Sequence, residues 1–419
     1  MSIVLDTNEA AIIRGIKTVG VGKKGSKPLT DGLAREILAD LKAGRVAPAA
    51  SGAFFAGLLA KGVEPQEEIL ADAFAPGVFN DPVRLVETLT ADAPDFVRWV
   101  CVQLILGHTL DKQTAYDLGK FLFSNEPGDG ARGLVASFLR VRYETADEYE
   151  GIWAAMQETI VPAFCQPTPS GEPIVQLAEP FDGNDHSYMI TPLIGEYVQS
   201  LGYRVVHMIG RNSGPKLVFN LLDVAKLLPT TFAKQNNDLV NIKPRLGWFI
   251  DQADLSPAVD RWVDIRHQTV KRPFLATLEK FIKPLDAQIM VSSAFHPPYG
   301  EKMITMSERA AFPGAMVIRN GIEGSMAFPL KRPAKILLSA RQADGSYLRH
   351  EITFEVEAYL GQTPEIEERR EQLTAQENAR LIRIYMDQGA SGDECFDLRV
   401  KATREGFRQG LVWLNKNIH

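Results

Sequence analysis

Cysteine is scarce in this 419-residue chain: Cys101, Cys165 and Cys395 stand far apart, and no Cys-x-x-Cys pair occurs. That spacing excludes a disulfide framework and a cysteine-built zinc site. Histidine is also sparse, seven in all, with no pair at metal-ligand spacing, and no serine nucleophile elbow appears. A zinc enzyme and a serine hydrolase therefore have little to stand on. Long apolar runs are missing too; stretches such as Phe54–Ala60 are far too short to cross a bilayer. The opening Met1-Ser2-Ile3-Val4-Leu5-Asp6 carries an acid where a signal peptide would carry basic charge, which predicts a cytoplasmic protein. A net charge of −6 weighs against a dedicated nucleic-acid binder.

What is present is the composition of a globular protein, 45% hydrophobic and 23% charged, at a length that suggests two or three domains. Residues 13–28 hold four glycines and five basic side chains and read as a cationic lead-in. Helical periodicity then begins with Leu33, Ile37, Leu38 and Leu41, capped by Thr30 or Asp31, and a second helix carries Phe54, Phe55, Leu58 and Leu59. The pattern returns 81 residues later: Leu29, Ala34, Leu41, Gly52, Leu58 and Glu67 are matched by Leu110, Ala115, Leu122, Gly133, Leu139 and Glu148, and Lys61 by Arg142. This predicts a duplicated helix-turn-helix unit, 29–75 and 110–156, within a helical domain 1–162. The wide apolar faces around Phe54, Phe55 and Leu58, and around Leu134, Phe138 and Leu139, predict a homodimer through the helical front.

Pro162–Pro180 is rich in proline and turn residues and reads as a linker. Beyond it, apolar stretches at 204–209, 247–250, 289–293, 316–318 and 336–339 alternate with helical segments. That alternation predicts an α/β body over 163–419 with a largely parallel sheet. The fold class expected is thus α/β, an N-terminal all-helical domain plus an α/β body.

Two junctions could cradle a phosphate. At Glu179–Pro192, Thr191 is placed to cap a helix that Pro192 begins; at Gly210–Lys216, Ser213 or Gly214 could cap a helix begun by Pro215. Ordinary βα turns would look the same, and neither loop is a P-loop or a dinucleotide fingerprint. Residues 258–283 carry six Lys/Arg against three Asp/Glu, among them Arg266, Lys271, Arg272 and Lys280. They form either an anion-recognition surface or a solvated helix face.

Taken in order, Ile16-Lys17-x-x-Gly20-x-Gly22-Lys23, Glu148–Met156, Leu255-Ser256-Pro257-Ala258 through Arg266, Thr277–Lys280, Phe295-His296-Pro297-x-Tyr299 and Arg319-x-Gly321-x-Glu323-Gly324 resemble the anthranilate phosphoribosyltransferase-like proteins of glycosyltransferase family 3. The resemblance covers most of the chain. It implies a helical dimerisation domain, a site in a cleft between domains, and pentosyl transfer from phosphoribosyl pyrophosphate to an aromatic amine, with Mg2+, in chemistry related to tryptophan biosynthesis. By position, Thr191 would touch a donor phosphate and Arg211 and Asn212 would line the pyrophosphate side. Arg266, with Lys280, would face the acceptor or an anionic ligand, and Asp182, Asp185 and Glu323 would serve a metal. No catalytic residue is assigned. Where the family's enzymes carry Gly-Thr-Gly-Gly-Asp, this chain reads Glu179-Pro180-Phe181-Asp182-Gly183-Asn184-Asp185. It resembles the divergent branch that shares this loss, some of whose members bind nucleic acid. Two expectations follow: a protein that binds a phosphorylated pentose or nucleotide, or a dimeric nucleic-acid binder that uses the lead-in lysines and the 266–283 cations. Neither involves a membrane.

Overall fold

The structure is a computed structural model that describes residues 9–20, 25–165, 171–184, 186–214, 216, 218–368 and 373–419. The lysines at 23 and 24 and the carboxylate at 185 lie outside these. The chain forms two units: Met1–Met156 with Arg261–Leu275, and Gln157–Asp260 with Ala276–His419.

The first unit is helical: α1 (Ala11–Val19), α2 (Asp31–Lys42), α3 (Pro48–Lys61), α4 (Pro82–Leu89), α5 (Asp95–Ile105), α6 (Lys112–Leu122), α7 (Asp129–Arg142) and α8 (Ala146–Gln157), with a 3₁₀ helix at Pro65–Ala73. The 81-residue repeat recurs at the level of single bonds. The Glu67 carboxylate, fully buried, accepts from the Leu29 N–H at 2.8 Å and the Glu64 N–H at 2.8 Å, and pairs with Lys61 at 2.9 Å. Glu148, also fully buried, accepts from the Leu110 N–H at 2.9 Å and the Thr145 N–H at 2.8 Å, and pairs with Arg142. Each glutamate thereby closes a loop of 38 residues back onto the start of its own copy. Thr30 caps α2 by accepting from the Leu33 N–H, and Asp111 caps α6 by accepting from the Thr114 N–H.

The two copies meet where α3 crosses α7. A Cβ on Gly52 would lie 2.0 Å from the Gly130 carbonyl oxygen, and one on Gly133 would lie 1.9 Å from that of Ala49. The backbones therefore touch, and only glycine fits at either point. Ser137 Oγ donates to the Ala53 carbonyl across the same seam at 3.0 Å. Every residue of α3 from Ala49 to Leu58 is buried, as expected of a helix apolar all round. Leu134 and Leu139 are fully buried, with Phe138 6% exposed. The apolar faces that predicted a second chain are thus covered inside this unit.

Arg261–Leu275 belongs with the helices, not with the α/β body in which sequence order placed it. Trp262 Nε1 donates to the Leu122 carbonyl at 2.8 Å, and Arg261 Nη2 donates to the carbonyls of Phe123 (3.0 Å) and Ser124 (2.6 Å), capping the C-terminal end of α6. Lys271 donates to Ser137 Oγ. Part of that residue reaches solvent, but its ammonium is enclosed.

The second unit is built on an eight-stranded sheet in the order β3-β4-β2-β1-β5-β6-β7-β8. The strands are β1 (Ile174–Ala178), β2 (Arg204–Ile209), β3 (Thr231–Phe232), β4 (Trp248–Asp251), β5 (Ile289–Ala294), β6 (Gly314–Arg319), β7 (Ala334–Arg341) and β8 (Tyr347–Phe354). The first six pair in parallel; β7 and β8 extend the sheet antiparallel. β1 and β5 are buried at every position, as parallel strands covered on both faces must be. Among the helices over the sheet are Thr191–Ser200, Pro297–Arg309, Ala375–Gln388 and Glu394–Asn417. β1 overturns part of the predicted linker: the supposed hinge contains the strand from which the sheet grows both ways. Pro215, expected to begin a helix, lies outside the described residues. The next described helix starts only at Leu221, behind Asn220, whose side chain and that of Asp223 form a reciprocal cap.

Two measurements follow. Glu67→Ala and Glu148→Ala should each cost about 3–5 kcal/mol in chemical denaturation, because each leaves a cation and two amides unpaired; near-zero costs would remove the two glutamates as the repeat's fasteners. Burial pushes the Lys271 ammonium down to about 7 from 10.5. Between those values the unfolded chain binds more protons than the folded one, so stability should rise with pH across that window. Lys271→Met should flatten that rise.

Candidate functional site

β1 leads to β2 on one side, and the chain returns to β5 on the other, so the strand order reverses at the β1/β5 boundary. In parallel α/β sheets the crevice at the carboxyl ends of the strands, at such a reversal, is where ligands sit. Here four loops converge, following β1, β2, β5 and β6. Glycines stitch three of them backbone to backbone. Gly183 (φ +82°) has its Cβ position 2.0 Å from the Lys216 carbonyl oxygen, and Gly324 (φ +79°) has its own 2.3 Å from that of Gly183. The Ser213 N–H donates to the Phe181 carbonyl at 3.0 Å, and the Asn184 N–H to that of Phe219 at 2.8 Å.

These loops enclose a hollow of about 200 Å³ lined by Asn184, His186, Lys216, Phe295, Glu323 and Arg332, among others. Lys216 pairs with Glu323 at 3.1 Å. Arg332 donates to the Gly321 carbonyl at 2.6 Å and to that of Asn320, and its partial burial lowers its pKa. Glu368, also on the wall, accepts from the Leu330 N–H at 2.5 Å and pairs with the fully buried Arg399 at 3.1 Å. Charged side chains, most of them paired, line the hollow.

Beside it, just past β1, Glu179 is wholly buried. Its carboxyl accepts from Thr191 Oγ1 at 2.6 Å and from the Met326 N–H at 3.0 Å. Burial pushes it up to about 7, against the opposing pull of those hydrogen bonds and of Lys280. Phe181, 4% exposed, places its ring 2.8 Å from a would-be Cβ of Gly210. Glu179 and Phe181 thus occupy the segment where the resemblance would put a glycine-rich loop.

The sequence-predicted residues disperse. Thr191 lies in the first turn of its helix behind Ile190, 1% exposed, and gives its hydroxyl to Glu179 instead of capping. Arg211 forms a two-point pair with Asp260, Nε to Oδ2 at 3.0 Å and Nη2 to the Asp260 carbonyl at 2.9 Å. Asn212 shapes its own loop, donating to the Lys216 carbonyl and accepting from the Gly214 N–H, both at 3.0 Å. Arg266, 2% exposed, belongs to the helical unit, whereas Thr191 belongs to the α/β unit. Lys280, 7% exposed, donates to the Ala276 carbonyl. Arg266 and Lys280 are therefore interior cations, not a solvated face. His207 is buried neutral, lowered to about 4, bonded to the Leu246 carbonyl at 2.8 Å and stacked on Phe249.

Of the expected metal ligands, Asp182 is 9% exposed, Glu323 faces Lys216, and position 185 lies outside the described residues. Among the described residues no three His, Cys, Asp or Glu side chains are grouped to hold an ion. Among the described residues the donor set does not fit a resident Mg2+. The two junctions singled out in sequence contain Glu179 and Lys216, though neither was given a role, and Arg332 was missed; Gly183 and Gly324, two glycines in otherwise polar loops, were the signal available.

No family model matches the chain. An uncharacterized protein of Aquifex aeolicus (strain VF5) is 23% identical over 227 residues, 54% of this chain and 67% of that protein. The uncharacterized protein YbiB of Escherichia coli (strain K12) is 23% identical over 236 residues, 56% of this chain and 72% of YbiB. Among solved structures, anthranilate phosphoribosyltransferase (TrpD) from Thermus thermophilus is similar with TM-score 0.59 and 18% identity, over 77% of this chain and 90% of that one. The Saccharomyces cerevisiae enzyme in complex with PRPP and Mg is similar with TM-score 0.55 and 11% identity, over 78% and 94%. The fold is that of the anthranilate phosphoribosyltransferases, at a distance. Among the described residues no helix is long and apolar enough to cross a membrane.

Glu179 generates a prediction. Its folded carboxyl binds a proton up to about 7 and its unfolded one only to 4.5, so stability should fall as pH rises between those values. Glu179→Gln should remove that slope and make the protein more stable than wild type above pH 7. An unchanged pH profile of the melting temperature would contradict a buried, protonating carboxyl.

Proposed function

We propose that the hollow at the β1/β5 boundary binds the phosphate of a phosphorylated pentose or nucleotide. The observation that carries this reading is Lys216 and Arg332 together on the rim of a crevice at the carboxyl ends of parallel strands. A phosphate entering there draws Lys216 away from Glu323 and becomes a further acceptor for the Arg332 guanidinium, which already donates to backbone carbonyls. The hollow is small for a whole nucleotide, so the sugar and anything beyond it extend outward past Phe295. Glu179 and Phe181 close off the place of a pyrophosphate-wrapping glycine loop, which favours an altered donor over ordinary phosphoribosyl transfer to anthranilate. Pyrophosphate release from phosphoribosyl pyrophosphate in the presence of an aromatic amine separates an enzyme from a binder. Any Mg2+ involved comes with the ligand's phosphates, and no step is assigned to it.

The second reading, a nucleic-acid binder, has one observation in its favour. Phe295 is 39% exposed at the rim and offers a face on which a base could stack. The interior placement of Arg266 and Lys280 takes two of the 266–283 cations away from that reading, whereas the lead-in lysines at 23 and 24 lie outside the described residues.

Titration calorimetry with ribose 5-phosphate, phosphoribosyl pyrophosphate and single-stranded DNA decides between them. Lys216→Ala and Arg332→Ala should each weaken the sugar phosphates by about 1.5–3 kcal/mol, roughly ten- to hundred-fold. Phe295→Ala should matter most if DNA is the ligand. Wild type that ignores both sugar phosphates at millimolar concentration rules the first reading out.

A further inference from the structure

The contacts between the two helical copies have a property that tandem repeats stacked side by side lack: they are reciprocal. Gly52 touches the backbone of Gly130, and Gly133 touches that of Ala49. Adding the 81-residue offset of the repeat to Ala49 gives Gly130, and adding it to Gly52 gives Gly133. Exchanging the copies therefore maps the interface onto itself. Residue i meeting j while j meets i is the rule of a two-fold, isologous interface, which ordinarily joins two separate chains.

The correspondence extends beyond the crossing. In the first copy α1 lies on α3, burying Ile12, Gly15, Ile16 and Val19; in the second α5 lies on α7, burying Val97, Val100, Cys101 and Leu104. Both sets have the same three- and four-residue spacing. Each copy is thus a complete set: an outer helix, a capped helix pair and a buried glutamate clasp.

The symmetry is not complete: the second copy ends in α8 where the first has the 3₁₀ helix Pro65–Ala73, and one further segment bonds to the copies unequally. The Arg261–Leu275 segment, which packs on α3 as well as α7, donates hydrogen bonds to the second copy at the carbonyls of Leu122, Phe123 and Ser124 and at Ser137 Oγ. The equivalent of Ser137 in the first copy is Ala56, which has no hydroxyl to offer Lys271 or any counterpart of it.

We infer that the first helical copy does within the chain what a second subunit does in a two-fold dimer, so that the protein is a monomer with a built-in dimer interface. The second copy takes the inserted segment's hydrogen bonds, and the first supplies the opposing face and packs on the same segment through α3. Covalent linkage makes this arrangement strongly preferred. A short tether gives an effective concentration in the millimolar range, which a second chain at micromolar concentration cannot match. The inference is independent of what the α/β unit binds.

The test is the mass of the full-length protein in solution. Light scattering coupled to size exclusion should give a single species of 46.4 kDa across the micromolar range. The melting temperature should not depend on protein concentration, as it would for an obligate dimer. Gly133→Val, which drives methyl groups into the Ala49 backbone, should lower the melting temperature and produce concentration-dependent self-association as the freed α7 face finds a second chain. Twice the monomer mass for wild type, or a melting temperature that climbs with concentration, overturns the inference. So does a Gly133→Val protein with unchanged mass and melting temperature. Should that variant fail to fold, the two wild-type measurements decide alone.

Discussion

The helical unit depends on one constraint: two helix backbones touch, and glycine is required at both points of contact. Because α3 carries Gly52 to the Gly130 carbonyl and α7 carries Gly133 to that of Ala49, the helices approach closely enough for Ser137 to bond the Ala53 carbonyl. With α3 buried over ten consecutive residues, each copy must then supply cover on its remaining sides. The outer helices α1 and α5 do so, and the buried glutamates fasten each copy's end to its beginning. Those glutamates are costly to bury singly, but each meets one cation and two amides, so the charge is satisfied and the loop closure is fixed.

The α/β unit concentrates its polar interior at the end of β1. Glu179 links three elements, the strand it follows, the helix containing Thr191 and the loop holding Met326, through hydrogen bonds of ordinary length. A carboxyl there cannot also serve an anionic ligand. The glycine contacts from Gly183 and Gly324 hold the neighbouring loops against one another, so their backbone has little freedom to rearrange on binding.

The two matching glutamate clasps were legible in sequence because buried charge leaves a trace that leucine spacing does not. Glu67 with Lys61 and Glu148 with Arg142 recur at the same offset, and an amphipathic helix has no general need for either pair. The largely parallel sheet was legible in its five apolar stretches. β1 was not, since Gln176 interrupts its apolar run between a proline-rich segment and Pro180; that glutamine is buried because it donates to the Lys280 and Ile282 carbonyls, a partnership 104 and 106 residues away. The placement of 261–275 failed for a similar reason: Trp262 and Arg261 answer carbonyls at the end of α6, which no local pattern announces. Thr191, Arg211 and Asn212 spend their polar groups on neighbours, because hydroxyls and guanidiniums in tight loops are taken first by backbone and carboxylate partners.

Two helical copies accompany a single sheet, and that ratio governs how the molecule can respond to a ligand. In a symmetric pair of chains, occupancy of one crevice can be transmitted through the shared interface to its twin, and saturation curves can bend away from a simple hyperbola. Here the interface has two halves, but the described residues form one sheet and one switch of strand order. The crevice at that switch has no twin within the chain for the interface to inform. For the monomer inferred above, the internal two-fold thus has no second crevice to couple, and ligand titration should follow a Hill coefficient of one.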